Sequence, residues 1–81
     1  MKIRVRFFAM CRDLVQRDVL EMELPEPATG DDFWNRIVVQ FPQLAPYQQL
    51  SRLAVNLEYV PNSIQIEDGD EISIIPPVSG G

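Results

Sequence analysis

The residues best equipped for chemistry close the sequence: Pro76-Pro77-Val78-Ser79-Gly80-Gly81. Neither proline has an N–H for a strand ladder, and each fixes φ near −65°, so a chain arriving from a strand leaves the sheet stiff and extended. Gly80 lets backbone pass close to another surface, and Gly81 offers a carboxylate. Six extended residues reach roughly 20 Å, enough to place that carboxylate inside a partner's pocket. A carboxylate is a poor electrophile until it is converted to an acyl derivative with a good leaving group, which a nucleophile can then attack. The remaining sequence offers few competing sites. It has no histidine and one cysteine, which excludes an internal disulfide, a Cys/His zinc site and a histidine-based triad. Cys11 has no base to hold it as thiolate and reads as a small hydrophobe. Glu67, Asp68, Asp70 and Glu71 surround Gly69 without the ligand spacing of an EF-hand. They read as solvated acids around a turn in which Gly69 takes positive φ, and no metal site is expected.

Asp68 to Gly81 reads DGDEISIIPPVSGG. With Phe7-Phe8-Ala9 followed by Arg12, and with Ala54-Val55-Asn56, it resembles the small, sulfur-carrying subunit of molybdopterin synthase. The resemblance spans the chain and is most specific at its end; sulfur carriers of thiamine synthesis and tRNA thiolation share the Gly-Gly terminus. It implies a ubiquitin-like β-grasp fold and a division into a domain at 1–75 and an extended tail at 76–81. It also implies that Gly81 is adenylated by an activating enzyme using ATP and converted to a thiocarboxylate. Sulfur would come from a donor such as a cysteine desulfurase or rhodanese and pass to the pterin precursor on the synthase large subunit, within a heterotetramer of two large and two small subunits. In that scheme Gly81 carries the sulfur, Gly80 threads a channel, and Pro76, Pro77, Val78 and Ser79 form the rest of the threading segment. No permanently bound cofactor is implied, and the chain is not expected to catalyse alone. The alternatives are a sulfur carrier of another pathway, a modifier joined to lysines of target proteins through Gly81, and an interaction domain with an inert tail.

Length and charge bound these readings. Eighty-one residues make one domain, and 46% hydrophobic residues suffice for a core. A net charge of −5 argues against nucleic acid or an anionic membrane as main partner. No signal peptide or transmembrane run is evident, so a cytoplasmic location is expected.

The elements that must position the tail follow from apolar periodicity. Ile3, Val5 and Phe7 alternate with Lys2, Arg4 and Arg6 as in a half-buried strand. Phe8 then falls on the outer face by parity, unless Met10–Val15, a short helix or turn, covers it. Val19–Leu24 alternates likewise, with Glu21 and Glu23 placed to pair with Arg4 and Arg6 across an antiparallel hairpin. Thr29 reads as a helix N-cap, Asp31 and Asp32 suit the positive helix end, and Pro42 stops the helix. Phe33, Trp34, Ile37, Val38 and Phe41 give that helix one apolar face. Pro46 limits Gln43–Leu50 to one irregular turn. Leu53–Leu57 reads as a central strand in which Asn56 turns the chain or bonds to a loop, and Tyr59-Val60 as a short return strand.

This order predicts an α+β fold; the resemblance to the β-grasp carriers implies a mixed sheet packed on one main helix, with the first and last strands side by side at its centre. In that arrangement Ile72 and Ile74 face the helix and Ile75 points outward. Phe8, Tyr59 and Ile75 are therefore expected to form the partner interface beside the departing tail.

Overall fold

The structure is a computed structural model and describes residues 1–77. Its centre is β1 (Lys2–Phe7) lying parallel to β7 (Glu71–Ile75), in the register Arg4 to Glu71 through Phe7 to Ile74. On the other side of β1 runs antiparallel β2 (Val19–Glu23), reached through a short helix, α1 (Ala9–Val15). On the other side of β7 lie β4 (Arg52–Val55) and then β5 (Glu58–Val60), both added antiparallel. The five-stranded order is β2-β1-β7-β4-β5. With a helix packed across one face of this mixed sheet, the architecture is the ubiquitin-like β-grasp.

Alternation in β1 decides what the sheet buries. Ile3, Val5 and Phe7 point inward and Lys2 and Arg4 outward, so one face is apolar throughout. Ile72, Ile74 and Leu53 extend that face across the neighbouring strands. The helix α2 (Gly30–Gln40) covers it with Phe33, Trp34 and Ile37, all fully enclosed. Phe41, just past its end, meets the Phe7 ring edge-on with centroids 5.8 Å apart. The turn predicted at Gln43–Leu50 is a 3-10 helix at Pro42–Tyr47 with Pro46 inside it, and it sends Leu44 into the core.

The N-terminus of α2 is fixed by side chain and backbone together. The Asp32 N–H donates to Thr29 Oγ1 at 3.3 Å and the Thr29 N–H to Asp32 Oδ2 at 2.9 Å, a reciprocal capping box. The first two helical N–H groups are met by the loop opposite, Gly30 donating to the Ile64 carbonyl at 3.0 Å and Asp31 to that of Asn62 at 2.9 Å. This approach explains the glycine: a Cβ at position 30 would sit 2.6 Å from the Asn62 oxygen. The loop also carries β6 (Gln65–Ile66), which pairs with β3 (Ala28–Thr29) in a separate two-stranded sheet. Strands of two residues leave no periodicity, and neither was legible in the sequence.

Three expectations need correction. The strand predicted at Leu53–Leu57 ends at Val55 and lies fourth in the sheet, not at its centre. Asn56 and Leu57 both take positive φ, 50° and 74°, and make the tight turn into β5. Arg6 does not pair with a β2 glutamate, because the register sets it opposite Val19; its Nε lies 3.1 Å from Glu71 Oε1 on the neighbouring strand, unaligned for a hydrogen bond. Arg4 does stand opposite Glu21, but among the described residues no ion pair joins them.

The acidic turn is the third. Its carboxylates organise backbone rather than simply meeting water: Asp68 accepts from the Lys2 N–H at 2.7 Å and Asp70 from the Glu67 N–H at 2.9 Å. Gly69 has φ 87° there.

Candidate functional site

The site is built where β7 gives way to the tail. Ile74 pairs with Phe7 and is enclosed, so the next residue on each strand, Ile75 and Phe8, turns to the outer face at the same level of the sheet. Phe8 has extended backbone, φ −127° and ψ 152°, and its carbonyl accepts from the Cys11 N–H at 3.0 Å at the start of α1. The helix turns away from the ring, which stays 41% exposed, so α1 does not cover it. Ile75 is half-buried, and Pro76 and Pro77 follow it without strand structure. Val78, Ser79, Gly80 and Gly81 lie outside the described residues.

The register across four strands defines the ground beside this root. Arg6, Ser73, Ala54 and Tyr59 stand in one row, each opposite the next. Ser73 and Ala54 face outward yet are only 4% and 7% exposed, because small side chains sit low between longer neighbours. Those neighbours hold fixed positions. Glu71 pairs with Arg6, and the Arg52 guanidinium stacks on the Tyr59 ring 4.0 Å from its centroid. Arg52 is directly opposite Ile75. At the far end of the row Val19 is exposed opposite Arg6. The outer face is thus a shallow trough of small side chains rimmed by Phe8, Val19, Ile75 and Tyr59, with arginines at two places. Tyrosine and arginine held rigidly are residues that supply binding energy at protein interfaces.

Phe8, Tyr59 and Ile75, singled out from the sequence, share this face. Arg52 and Val19 were missed. Val19 was recoverable, since parity puts it with Glu21 and Glu23. Arg52 was not, because its place depends on the β4–β7 register.

Cys11 lies apart from this ground. It is fully enclosed on the inward side of α1, and burial pushes its thiol above the ordinary range, partly offset by the polar Ser51 side chain. A thiol held protonated in the core is not a nucleophile. Among the described residues no group of three or more acidic, histidine or cysteine side chains could hold a metal ion. No described helix is long and apolar enough to cross a membrane.

Comparison with known proteins adds to this geometry. The ThiS family matches residues 5–81. The molybdopterin synthase sulfur carrier subunit of Arabidopsis thaliana is 35% identical over 99% of this chain and 83% of its own length. Among solved structures, a putative molybdopterin converting factor subunit 1 from Pyrococcus furiosus superposes with a TM-score of 0.85 at 32% identity, covering 95% of this chain and 98% of that one. A chain from the complex of subunits 1 and 2 of the molybdopterin-converting factor of Helicobacter pylori has a TM-score of 0.71 over the whole of both chains; at 24% identity it shares the fold. The β-grasp sheet, the Pro-Pro exit from its central strand and a match over nearly the full length agree, and the chain belongs to the ThiS family, together with the molybdopterin synthase sulfur carrier subunits.

Proposed function

We propose that this chain is the sulfur-carrier subunit of a molybdopterin synthase and that its working group is the Gly81 carboxylate. The observation that carries the reading is that the family match runs through to residue 81, so the tail belongs to the shared sequence rather than to an appendage. An activating enzyme transfers AMP from ATP to the carboxylate, creating a leaving group. The terminal persulfide sulfur of a donor, such as a cysteine desulfurase or rhodanese, then attacks the acyl carbon and AMP departs; a thiol reductant supplies two electrons, breaks the S–S bond to the donor and leaves a thiocarboxylate. The thiocarboxylate sulfur bonds to a carbon of the pterin precursor on the synthase large subunit, and water then cleaves the acyl C–S bond, leaving the sulfur on the pterin and restoring the Gly81 carboxylate.

The chain's own residues position and present. Pro76 and Pro77 limit the conformations open to the tail root, which lowers the entropy lost on insertion. Gly80 presents no side chain to a narrow channel. The trough rimmed by Phe8, Tyr59 and Ile75 docks the large subunit, two of each subunit forming the heterotetramer. ATP and sulfur belong to the partners, and the chain needs no resident cofactor.

The test is incubation with the activating enzyme, ATP and a sulfur source, followed by intact mass. The expected gain is about 16 Da, oxygen replaced by sulfur at an activated acyl carbon. A chain lacking Gly81 should still assemble with the large subunit on size exclusion, yet lose ATP–pyrophosphate exchange and sulfur transfer. Normal exchange and transfer by that shortened chain would defeat the carrier reading.

A further inference from the structure

An activated carboxyl terminus is an electrophile, and an amine that reaches its acyl carbon can displace the leaving group. The nucleophiles on this chain are very few. Of seven basic side chains six are arginines, which stay protonated and do not acylate, leaving one lysine, Lys2. No histidine is present either as nucleophile or as base for a serine or tyrosine hydroxyl. Cys11 is enclosed in the core. The Met1 nitrogen is half-buried and donates to the Leu24 carbonyl at 2.7 Å.

Lys2 differs from all of these. Its backbone is pinned on both sides, the N–H donating to Asp68 at 2.7 Å and the carbonyl accepting from the Gly69 N–H at 2.8 Å. The residue itself is exposed on the outward face of β1, and among the described residues no carboxylate lies within ion-pair distance of its amine. It also stands at the wrong end of the molecule for its own tail. The tail departs beside Phe7 and Phe8, five residues along β1 from Lys2, about 17 Å at the rise of a strand. To reach Lys2, a tail with a roughly 20 Å span would have to double back at Pro76 and Pro77, whose φ is fixed.

We propose that Lys2 is the acylation site of this chain, where the activated Gly81 of a second copy forms an amide. The inference rests on activation of Gly81 as proposed above. The Lys2 Nζ lone pair forms the C–N bond, the bond from the acyl carbon to AMP breaks with its electron pair leaving on AMP, and the amine proton passes to solvent. One donor and one acceptor per copy give unbranched, head-to-tail chains. Scarcity of lysine thus confines the side reaction of an electrophilic carrier to a single position, and sulfur supply competes with it.

The full chain is incubated with the activating enzyme and ATP, with and without a sulfur source, and read by denaturing gel and peptide mass. Without sulfur, a ladder of amide-linked copies joined at Lys2 is expected; with sulfur it should fall at least several-fold, and Lys2→Arg should abolish it while ATP–pyrophosphate exchange is unchanged. A ladder that persists in Lys2→Arg, or exchange that proceeds in wild type without any ladder, overturns the inference and leaves Gly81 activation standing. Loss of exchange in wild type instead counts against activation itself. A second measurement decides Lys2 in that case too: limiting acetylation of the folded chain with an N-hydroxysuccinimide ester at alkaline pH. Lys2 should be modified ahead of Met1 and Cys11, and prior modification of either overturns the assignment.

Discussion

At Cys11 the chemistry of the side chain and its environment pull in opposite directions, and the environment decides. Burial holds the thiol protonated to higher pH than in the unfolded chain. The native state therefore binds more protons, and stability falls as pH rises. The contribution is whole below about pH 8.5, the ordinary thiol value, and is lost as pH climbs through the raised native value. Urea midpoints from pH about 7 to 10 should show Cys11→Ala less stable at neutrality, with the gap to wild type narrowing at alkaline pH. A gap that stays constant would mean the thiol is not perturbed. Asn56 supports a second residue-scale prediction. Its side-chain N–H donates to Asp70 Oδ1 at 3.1 Å and its Oδ1 accepts from the Glu71 N–H at 3.1 Å, so it ties the β4 turn to the start of β7. Asn56→Ala should cost about 1–3 kcal/mol by urea unfolding, since a backbone N–H loses its partner and alanine must hold positive φ. A loss below a few tenths would show that water replaces both bonds.

Among the elements, the β4–β5 hairpin carries visible strain. A two-residue turn with both φ values positive is the geometry for which Asn-Gly is preferred, and here Leu57 fills the glycine position at φ 74°. Its side chain is 86% exposed, so packing returns little for the conformation. Leu57→Gly should raise stability by about 0.5–1 kcal/mol, the relief of left-handed strain exceeding the entropy glycine adds to the unfolded chain. Thermal unfolding checks this, and a lower midpoint would show that the leucine makes contacts outweighing its strain. The same hairpin brings Tyr59 opposite Ala54 and beneath Arg52, so its geometry also shapes the outer face.

For the molecule as a whole, the proposed function assigns stability to one face of the sheet and recognition to the other. Val5 is fully enclosed against α2, whereas Phe8 and Ile75 stand outward at the tail root. Phe8→Asp and Ile75→Asp should each weaken assembly with the synthase large subunit by about 1–2 kcal/mol, because a charge is buried against an apolar partner. Thermal stability should change far less than for Val5→Asp, which puts the charge into the core. Titration calorimetry alongside melting curves separates the two effects, and unfolding by the Phe8 or Ile75 change would place them in the core instead.

Local chemistry alone determined much of this. Alternation in Lys2–Phe7, the Thr29 cap, the apolar face of Phe33, Trp34 and Ile37, and the two prolines after Ile75 each act within a few residues, so the strand, helix and tail exit could be read directly. The chemistry proposed for the tail rests on residue types alone, and Val78 to Gly81 lie outside the described residues. Register was not legible. Whether Arg6 meets Glu21 or Glu71, whether Leu53 lies in the middle of the sheet or beside its edge strand, and whether Arg52 stands next to Ile75 all depend on pairings between residues far apart in sequence. A strand's period of two fixes which face a residue occupies but says nothing of its neighbour across the ladder. The site's residue types were therefore set by the sequence, and their neighbours by the sheet.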